Sequence, residues 1–287
     1  MSGGLTPTVL APLLMLLSAA AHAVIGAVMK SQSDKLVFRG VLGLTCALTM
    51  LPFTALATFP PAEVWMWLGL GAALHFAYQL SQVAAFDRGD MGLVYPIMRG
   101  TAPAGVALFA YFILNEPLSP LTLGGLIIVV ASIIGFSWQG LYKSIGGLRG
   151  AIAFAVTCGA LTAAYTVVDA KGIRLSGDSL GYLVWFFLID GLGIALITAA
   201  YRGKAVFMAM RSHIASGVFA GLLSLISYGA ALIALSMAPA AKLAAIRETS
   251  VIFGAILAAL WLKESFGARR ITLACVLAFG LILMQMG

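Results

Sequence analysis

Along this chain the polar residues either punctuate long apolar runs or recur at helical spacing inside them. Ten apolar runs can be marked: Val9–Met29, Leu36–Phe59, Val64–Phe86, Gly92–Leu114, Pro120–Gly140, Gly150–Ala170, Leu180–Ala200, His213–Met237, Ala241–Leu262 and Ala268–Gln285. About 20 apolar residues are needed for a helix to cross a hydrocarbon core of roughly 30 Å. Within the third run, His75, Tyr78, Gln79 and Gln82 stand at i, i+3, i+4 and i+7. The sixth run repeats this spacing with Thr162, Tyr165, Thr166 and Asp169, the eighth carries Ser224, Ser227 and Tyr228, and the first carries Ser18 and His22. A period near 3.6 predicts helices rather than barrel strands. Lipid offers no hydrogen-bond partners, so these polar faces are predicted to meet one another around an interior cavity.

The fourth run, Gly92 to Glu116, is the best marked. It holds Arg99, Pro96 and Pro103, and a shift of 148 positions lays Arg99 on Arg247, Thr101 on Thr249, Ala107 on Ala255, Ala110 on Ala258, Leu114 on Leu262 and Glu116 on Glu264. The chain therefore reads as two copies of one design, residues 1–142 and 143–287. Five crossings per copy is an odd number, so the second copy is inverted in the membrane, the architecture of secondary transporters with a site near the midplane. Arg99 and Arg247 fall near the starts of their runs and are expected toward opposite faces. Pro96 and Pro103 have no counterparts at Ala244 and Val251. Proline removes a backbone donor and favours a kink, so the fourth helix is expected to bend more than the ninth.

Composition agrees with the runs. Of 287 residues, 62% are hydrophobic and 9% charged, against roughly 25% charged in soluble domains. The net charge of +7 is dispersed over short connections and forms no cluster that could follow a nucleic-acid backbone. Cys46, Cys158 and Cys275 each stand alone in an apolar run, with neither metal spacing nor a disulfide pattern, and read as small buried residues. No motif calls for a cofactor or a metal. Leu13 to Ala23 could pass for a signal peptide, but no Lys or Arg precedes it and the apolar run continues to Met29. It is read as an uncleaved first helix. Phe59-Pro60-Pro61 and the segment Asn115 to Pro120 carry the turn chemistry that ends one helix and opens the next.

Charges within the runs are the candidate chemistry. A charged side chain in hydrocarbon costs a few kcal/mol and marks a function or a buried partner. Arg99 and Arg247 suit a carboxylate or phosphate bidentately, although an arginine can also pin a helix end to carbonyls or lipid phosphate. Candidate substrate contacts are His75, Tyr78, Gln79, Gln82, Tyr95, Arg99, Thr162, Tyr165, Ser227, Tyr228 and Arg247. His22, Asp169, Asp190 and Glu248 are candidates for ion coupling or gating. Asp190 lies mid-run, Asp169 nearer an end, and the adjacent Arg247 and Glu248 point about 100° apart on a helix and need not pair. Any single Ser or Thr serves equally as interhelical glue, and Gly217 and Gly221 form a GxxxG packing signal. Arginines flanked by Tyr78, Tyr95, Tyr165, Trp185 and Tyr228 fit a small zwitterion or organic acid with an apolar portion.

Each copy ends in an acidic turn, Leu114-Asn115-Glu116-Pro117-Leu118 and Leu262-Lys263-Glu264-Ser265-Phe266, and the first run of each copy has a lysine at its end, Lys30 and Lys171. In these features the chain resembles the EamA-type drug/metabolite transporters, and among them the aromatic amino acid exporters of bacterial inner membranes. The resemblance implies a basket of ten helices around a central cavity, export by alternating access, and helices 1, 3, 4, 6, 8 and 9 lining the path with 5 and 10 peripheral. One departure stands out. Related small multidrug pumps use a glutamate in the first helix, whereas the first run here holds no acid.

The reading is an all-α membrane protein exporting amino acids or related metabolites, working as a monomer within the lipid bilayer on a small-molecule substrate. Nucleotide sugars, phosphorylated sugars or drugs are the alternative cargo. An intramembrane enzyme would need clustered acids or a nucleophile with a base, and no HExxH or GxSxG occurs. Connections after odd-numbered runs carry Lys30, Lys35, Arg39, Arg88, Lys143, Arg149, Arg202, Lys204, Arg211, Lys263, Arg269 and Arg270, twelve in all, and those after even-numbered runs carry Lys171, Arg174 and Lys242, three. Positive charge gathers in the cytoplasm, so both termini are placed outside. A reporter active only in the periplasm should be active at the C-terminus; activity of a cytoplasm-only reporter there would contradict the orientation.

Overall fold

Helix ends in this chain are written by proline, aspartate and glycine. A computed structural model describes residues 6–89, 91–144, 149–253 and 268–287. Its principal helices are α1 Pro7–Lys30, α2 Lys35–Met50 with a 3-10 extension Leu51–Ala55, α3 Ala62–Arg88, α4 Met91–Phe109 with a π-helical turn Ala110–Leu114, and α5 Pro120–Ser144. Then come α6 Arg149–Ser176, α7 Ser179–Arg202, α8 Ile214–Met237, α9 Ala240–Arg247 and α10 Ala268–Met286, with a short helix Val206–Arg211 before α8. No strand occurs among the described residues. Pro7 opens α1, and Pro61 and Pro239 precede α3 and α9. Asp34 and Asp178 cap the counterpart helices α2 and α7, accepting from Val37 N at 3.1 Å and Gly181 N at 3.0 Å. Such caps satisfy one of the free N–H groups at a helix start. The Gly181 N–H holds the Asp178 carboxyl below its ordinary range, so this cap persists above that range and is lost only as pH falls through it.

Six described stretches have the length and apolarity to cross a membrane: Pro7–Lys30, Lys35–Ala55, Ile97–Leu114, Arg149–Ser176, Ser179–Arg211 and Ile214–Met237. Pro120–Gly135 and Thr272–Met286 are shorter apolar helices. α3 has 27 residues and the length to span, but its polar stripe lowers its mean hydropathy. The arrangement turns a soluble core inside out: Leu13, Leu17, Phe112, Ile127 and Leu196 are exposed, while His75, Gln79, Gln82, Arg99 and Arg247 are buried.

The packing has a two-part order. α3 lies on α6 and α1 on α8; α4 lies on α6 and α1 on α9; α2 meets α7 and α5 meets α10. Adding five to each label maps the first four pairings onto one another and the last two onto themselves. Both self-paired crossings are close. A methyl group at Gly191 would lie 2.3 Å from the Gly43 carbonyl oxygen, and one at Gly125 would lie 2.6 Å from that of Gly280. The GxxxG of α8 packs on α2, where a methyl group at Gly217 would meet Val41 at 2.5 Å and one at Gly221 would meet Thr45 at 2.7 Å. Small residues let backbones approach where no hydrophobic drive between helices exists.

The two arginine helices differ in continuity. α4 runs unbroken through Pro96 and Pro103 to Phe109. The interruption falls in the other arginine helix, where α9 stops at Arg247 and Glu248–Thr249 form a turn before helix resumes at 250–253. The Glu248 N–H turns back to the Ala245 carbonyl, a tighter i to i−3 bond. A break in the helix thus sits beside the buried charges of the second half. The repeat positions Ala255, Ala258, Leu262 and Glu264, and the second acidic turn, lie outside the described residues.

Gly191→Ala should lower the stability of the purified protein by about 1–3 kcal/mol, the usual cost of overpacking. Gly69→Ala, whose methyl would meet nothing within 4 Å, should not. Thermal unfolding in detergent reads the difference, and equal melting temperatures would contradict the α2–α7 crossing.

Candidate functional site

The polar stripes converge on one interior cavity of about 60 Å³. Its wall takes His22 and Ile25 from α1, Arg39, Leu42 and Cys46 from α2, His75, Tyr78 and Gln79 from α3, and Tyr165 from α6. Phe186, Phe187 and Asp190 of α7, Ser224, Ser227 and Tyr228 of α8, and Arg247 of α9 complete it. A second cavity, about 10 Å³, is bounded by Met15, Arg99, Ala102, Val106, Thr162, Thr166, Ala231, Leu235, Ala244, Arg247 and Glu248. That volume admits about one water molecule, so the first cavity is the candidate solute site. Arg247 belongs to both walls.

Three buried networks hold the polar groups in place. In the first, Asp169 is fully buried and accepts from Tyr228 Oη at 2.5 Å and Tyr182 Oη at 3.3 Å, with His75 Nε2 at 2.9 Å from Oδ2. His75 Nε2 also lies 3.1 Å from Tyr228 Oη, and its ring is 4.0 Å from that of Tyr165. Glycine makes room for this group: a methyl at Gly71 would lie 2.4 Å from Asp169 Oδ1, and one at Gly172 would lie 2.6 Å from Tyr182 Oη. In the second, Gln79 Nε2 donates to Asp190 Oδ1 at 2.9 Å, while Arg39 Nη2 donates to Gln82 Oε1, whose amide nitrogen donates to Tyr78 Oη at 3.0 Å. In the third, Arg99 Nη1 donates to Glu248 Oε1 at 3.4 Å and its guanidinium lies 5.4 Å from the Tyr95 ring centre.

The charges at and directly behind the two cavities balance: Arg39, Arg99 and Arg247 against Asp169, Asp190 and Glu248. Their partners are unequal. Arg247 lies 5.2 Å over the Tyr228 ring, and its Nε, like Arg99 Nη2, Arg39 Nε and Glu248 Oε2, is buried without a hydrogen-bond partner. Buried N–H groups left open are costly, about 1–3 kcal/mol each and more for charged ones. Arg247 is therefore a donor facing open volume, the arrangement that receives an anionic group.

Of the sequence candidates, His75, Tyr78, Gln79, Tyr165, Ser227, Tyr228, Arg247, His22 and Asp190 line the larger cavity, and Arg99, Thr162 and Glu248 the smaller. Gln82, Tyr95 and Asp169 stand behind these walls as supports. Thr162 spends its hydroxyl on the Cys158 carbonyl at 2.8 Å and Ser227 donates to the Ser18 carbonyl at 2.9 Å, so both act first as structural bonds. Arg99 and Arg247 do not lie toward opposite faces. Each is about two turns into its helix, roughly 12 Å at 1.5 Å per residue, and they meet at the same small cavity. Asp169 is not near a helix end either, since α6 continues to Ser176. Glu248 pairs with Arg99 across the halves, and not with its neighbour Arg247.

Sequence reading missed two features. Arg39, counted with the loop charges, is buried inside α2 and faces the cavity; its place four residues after Lys35, within the apolar run, was the available signal. Glu116 was seen only as a motif. Asn115 adopts a left-handed conformation (φ 54°), which asparagine tolerates, and turns Glu116 back into the protein. Its carboxylate accepts from Arg174 Nη1 at 2.8 Å and from Ala240 N at the start of α9 at 2.7 Å, and Arg174 also donates to the carbonyls of Leu235 and Ala238. One acidic turn thus ties the ends of α4, α6 and α8 to the start of α9. No group of His, Cys, Asp and Glu suited to a metal occurs among the described residues.

Comparison with known proteins follows the same division. One solved structure, described only as "Crystal structure of protein", matches with a TM-score of 0.72 over 98% of each chain at 13% identity, a likeness of fold alone. No curated protein sequence matches. The model of the EamA-like transporter family matches twice, over residues 9–138 and 149–286, which is nearly the whole chain. The protein is a member of the EamA-like transporter family, multi-pass membrane transporters of small metabolites.

Proposed function

We propose that the chain exports amino acids with apolar, chiefly aromatic, side chains across a bacterial inner membrane by alternating access, as a monomer of ten membrane helices in two inverted halves, 1–142 and 143–287. The observation that carries this reading is the wall of the larger cavity, where the open guanidinium of Arg247 shares the space with Arg39, Asp190 and a set of aromatic rings. A free amino acid has matching parts. Its carboxylate suits Arg247 through charge-assisted bonds, its ammonium suits Asp190, and an apolar side chain packs against Phe186, Phe187, Tyr165 and Tyr228. The double match of the family model, the pairing order of the helices and the odd number of runs per half support the inverted repeat. A cavity enclosed within one chain supports monomeric work.

In the bound state the solute bridges the halves, because Arg247 and Asp190 belong to one and Arg39 and Gln79 to the other. Binding then favours whichever tilt of the halves brings both walls onto the solute, and solute release from the opposite opening completes a cycle. The acidic turn at Glu116 closes the end of the molecule that carries the α4–α5, α6–α7 and α8–α9 connections, and it must open in that cycle.

Radiolabelled phenylalanine should show counterflow in proteoliposomes, competed by tryptophan and tyrosine more than by nucleotide sugars or lipophilic drugs. Competition by a nucleotide sugar alone would replace the substrate assignment. Arg247→Gln should weaken apparent affinity by about 1.5–3 kcal/mol, roughly 10- to 150-fold, the usual range for a charged hydrogen bond. Arg99→Gln should chiefly reduce protein abundance by stranding Glu248, and Arg99→Gln with Glu248→Gln should restore it. Unchanged transport by Arg247→Gln at normal abundance would contradict the carboxylate site.

A further inference from the structure

Asp169 touches neither cavity, yet it is the acid buried without any exposure, at 0%. An ionised carboxyl in such a place needs a compensating charge or a full set of donors. Two donors are the tyrosine hydroxyls of Tyr182 and Tyr228. The third is His75, 2.9 Å away, and His75 does line the larger cavity. Among the described residues the imidazole is the one group in contact with Asp169 that can gain and lose a positive charge near neutral pH. Solute volume and buried carboxylate are thus joined through a single titratable ring.

We propose that His75 and Asp169 form a proton-binding site that couples solute movement to a proton moving the other way. This rests on the transport reading given above. The hydrogen bond to Asp169 places a proton on Nε2, so the exchangeable proton is the one at Nδ1. With that proton bound, the pair is imidazolium and carboxylate, and the cavity wall gains a positive charge. With it released, Asp169 remains a carboxylate held by three neutral donors, and the wall is more negative. A solute ammonium is disfavoured by the first state and favoured by the second. Loading from the cytoplasm therefore expels the Nδ1 proton to the cytoplasmic side, and unloading outside lets the ring take a proton from outside. One proton enters for each solute that leaves, and no covalent bond other than N–H changes.

The surrounding groups fit this exchange. The rings of Tyr78 on α3 and Tyr165 on α6 flank the imidazole, and the hydroxyls of Tyr182 on α7 and Tyr228 on α8 reach the carboxylate. The charged and titratable neighbours across the cavity are His22 on α1, Arg39 on α2, Asp190 on α7 and Arg247 on α9, with Arg99 on α4 further off and paired to Glu248. Arg39 and Asp190 are each bonded to a glutamine, so neither neutralises the pair directly. The niche at Gly71 and Gly172 leaves no space beside Asp169 for another side chain. The absence of an acid from the first helix also finds its place here, since the proton site lies between α3 and α6.

Proteoliposomes of the wild-type chain containing a pH-sensitive dye and loaded with phenylalanine test the proposal. An outward phenylalanine gradient should drive protons inward, with a pH midpoint, and Asp169→Asn should move several-fold fewer protons per phenylalanine than the wild type. Counterflow without proton movement in the wild type, or undiminished proton movement in Asp169→Asn, would overturn it. Should Asp169→Asn fail to fold, Tyr182→Phe removes one donor from the carboxylate and should shift the pH midpoint of proton movement; an unmoved midpoint overturns the assignment. Absence of any wild-type phenylalanine counterflow would instead reject the transport reading.

Discussion

A charge inside hydrocarbon must be answered by another group of the protein, and this requirement organises the molecule. Asp169 of α6 is met by His75 of α3 and Tyr228 of α8, Asp190 of α7 by Gln79 of α3, and Glu248 at the end of α9 by Arg99 of α4. All three sets join a helix of the first half to one of the second. Removing one partner of a buried pair typically costs about 3–5 kcal/mol, so these bonds set how the halves sit together. Elsewhere the halves meet through the Glu116 turn, through single bonds such as Ser227 to the Ser18 carbonyl, and through glycine, alanine and apolar side chains.

This division of labour connects stability to movement. Glycine crossings such as Gly43 with Gly191 and Gly125 with Gly280 place counterpart helices in backbone contact. Such crossings leave little room for side chains between the two backbones. The polar network at the cavity is where a solute can exchange with internal partners. Glu116, by gathering Arg174 and the start of α9, joins the halves through a small number of hydrogen bonds near a surface of the molecule. Rocking of one half against the other is the usual route to alternating access.

Much of the fold was legible because membrane helices obey a strong rule: backbone groups must be satisfied within the segment. The apolar runs therefore marked the helices well, as with Pro7–Lys30 against the expected Val9–Met29. Periodicity placed His75, Tyr78 and Gln79 on one wall for the same reason. What it could not supply was depth along a helix and the identity of partners. Asp169 looked terminal because the apolar run fades before α6 does, and Arg39 looked like a loop charge because it stands near one. Glu248 and Arg99 are 149 positions apart, and no local pattern ties them. The break after Arg247, at Glu248–Thr249, is marked by no proline.

The central claim is that the cavity shared by the two halves is open to one side of the membrane at a time and holds the solute. Accessibility of a single cavity residue measures this most directly. With Cys46, Cys158 and Cys275 replaced by alanine, Ser224→Cys should react with a membrane-impermeant thiol reagent applied from either side, and phenylalanine should slow both reactions. Reaction from one side only, or rates that phenylalanine leaves unchanged, would contradict the account.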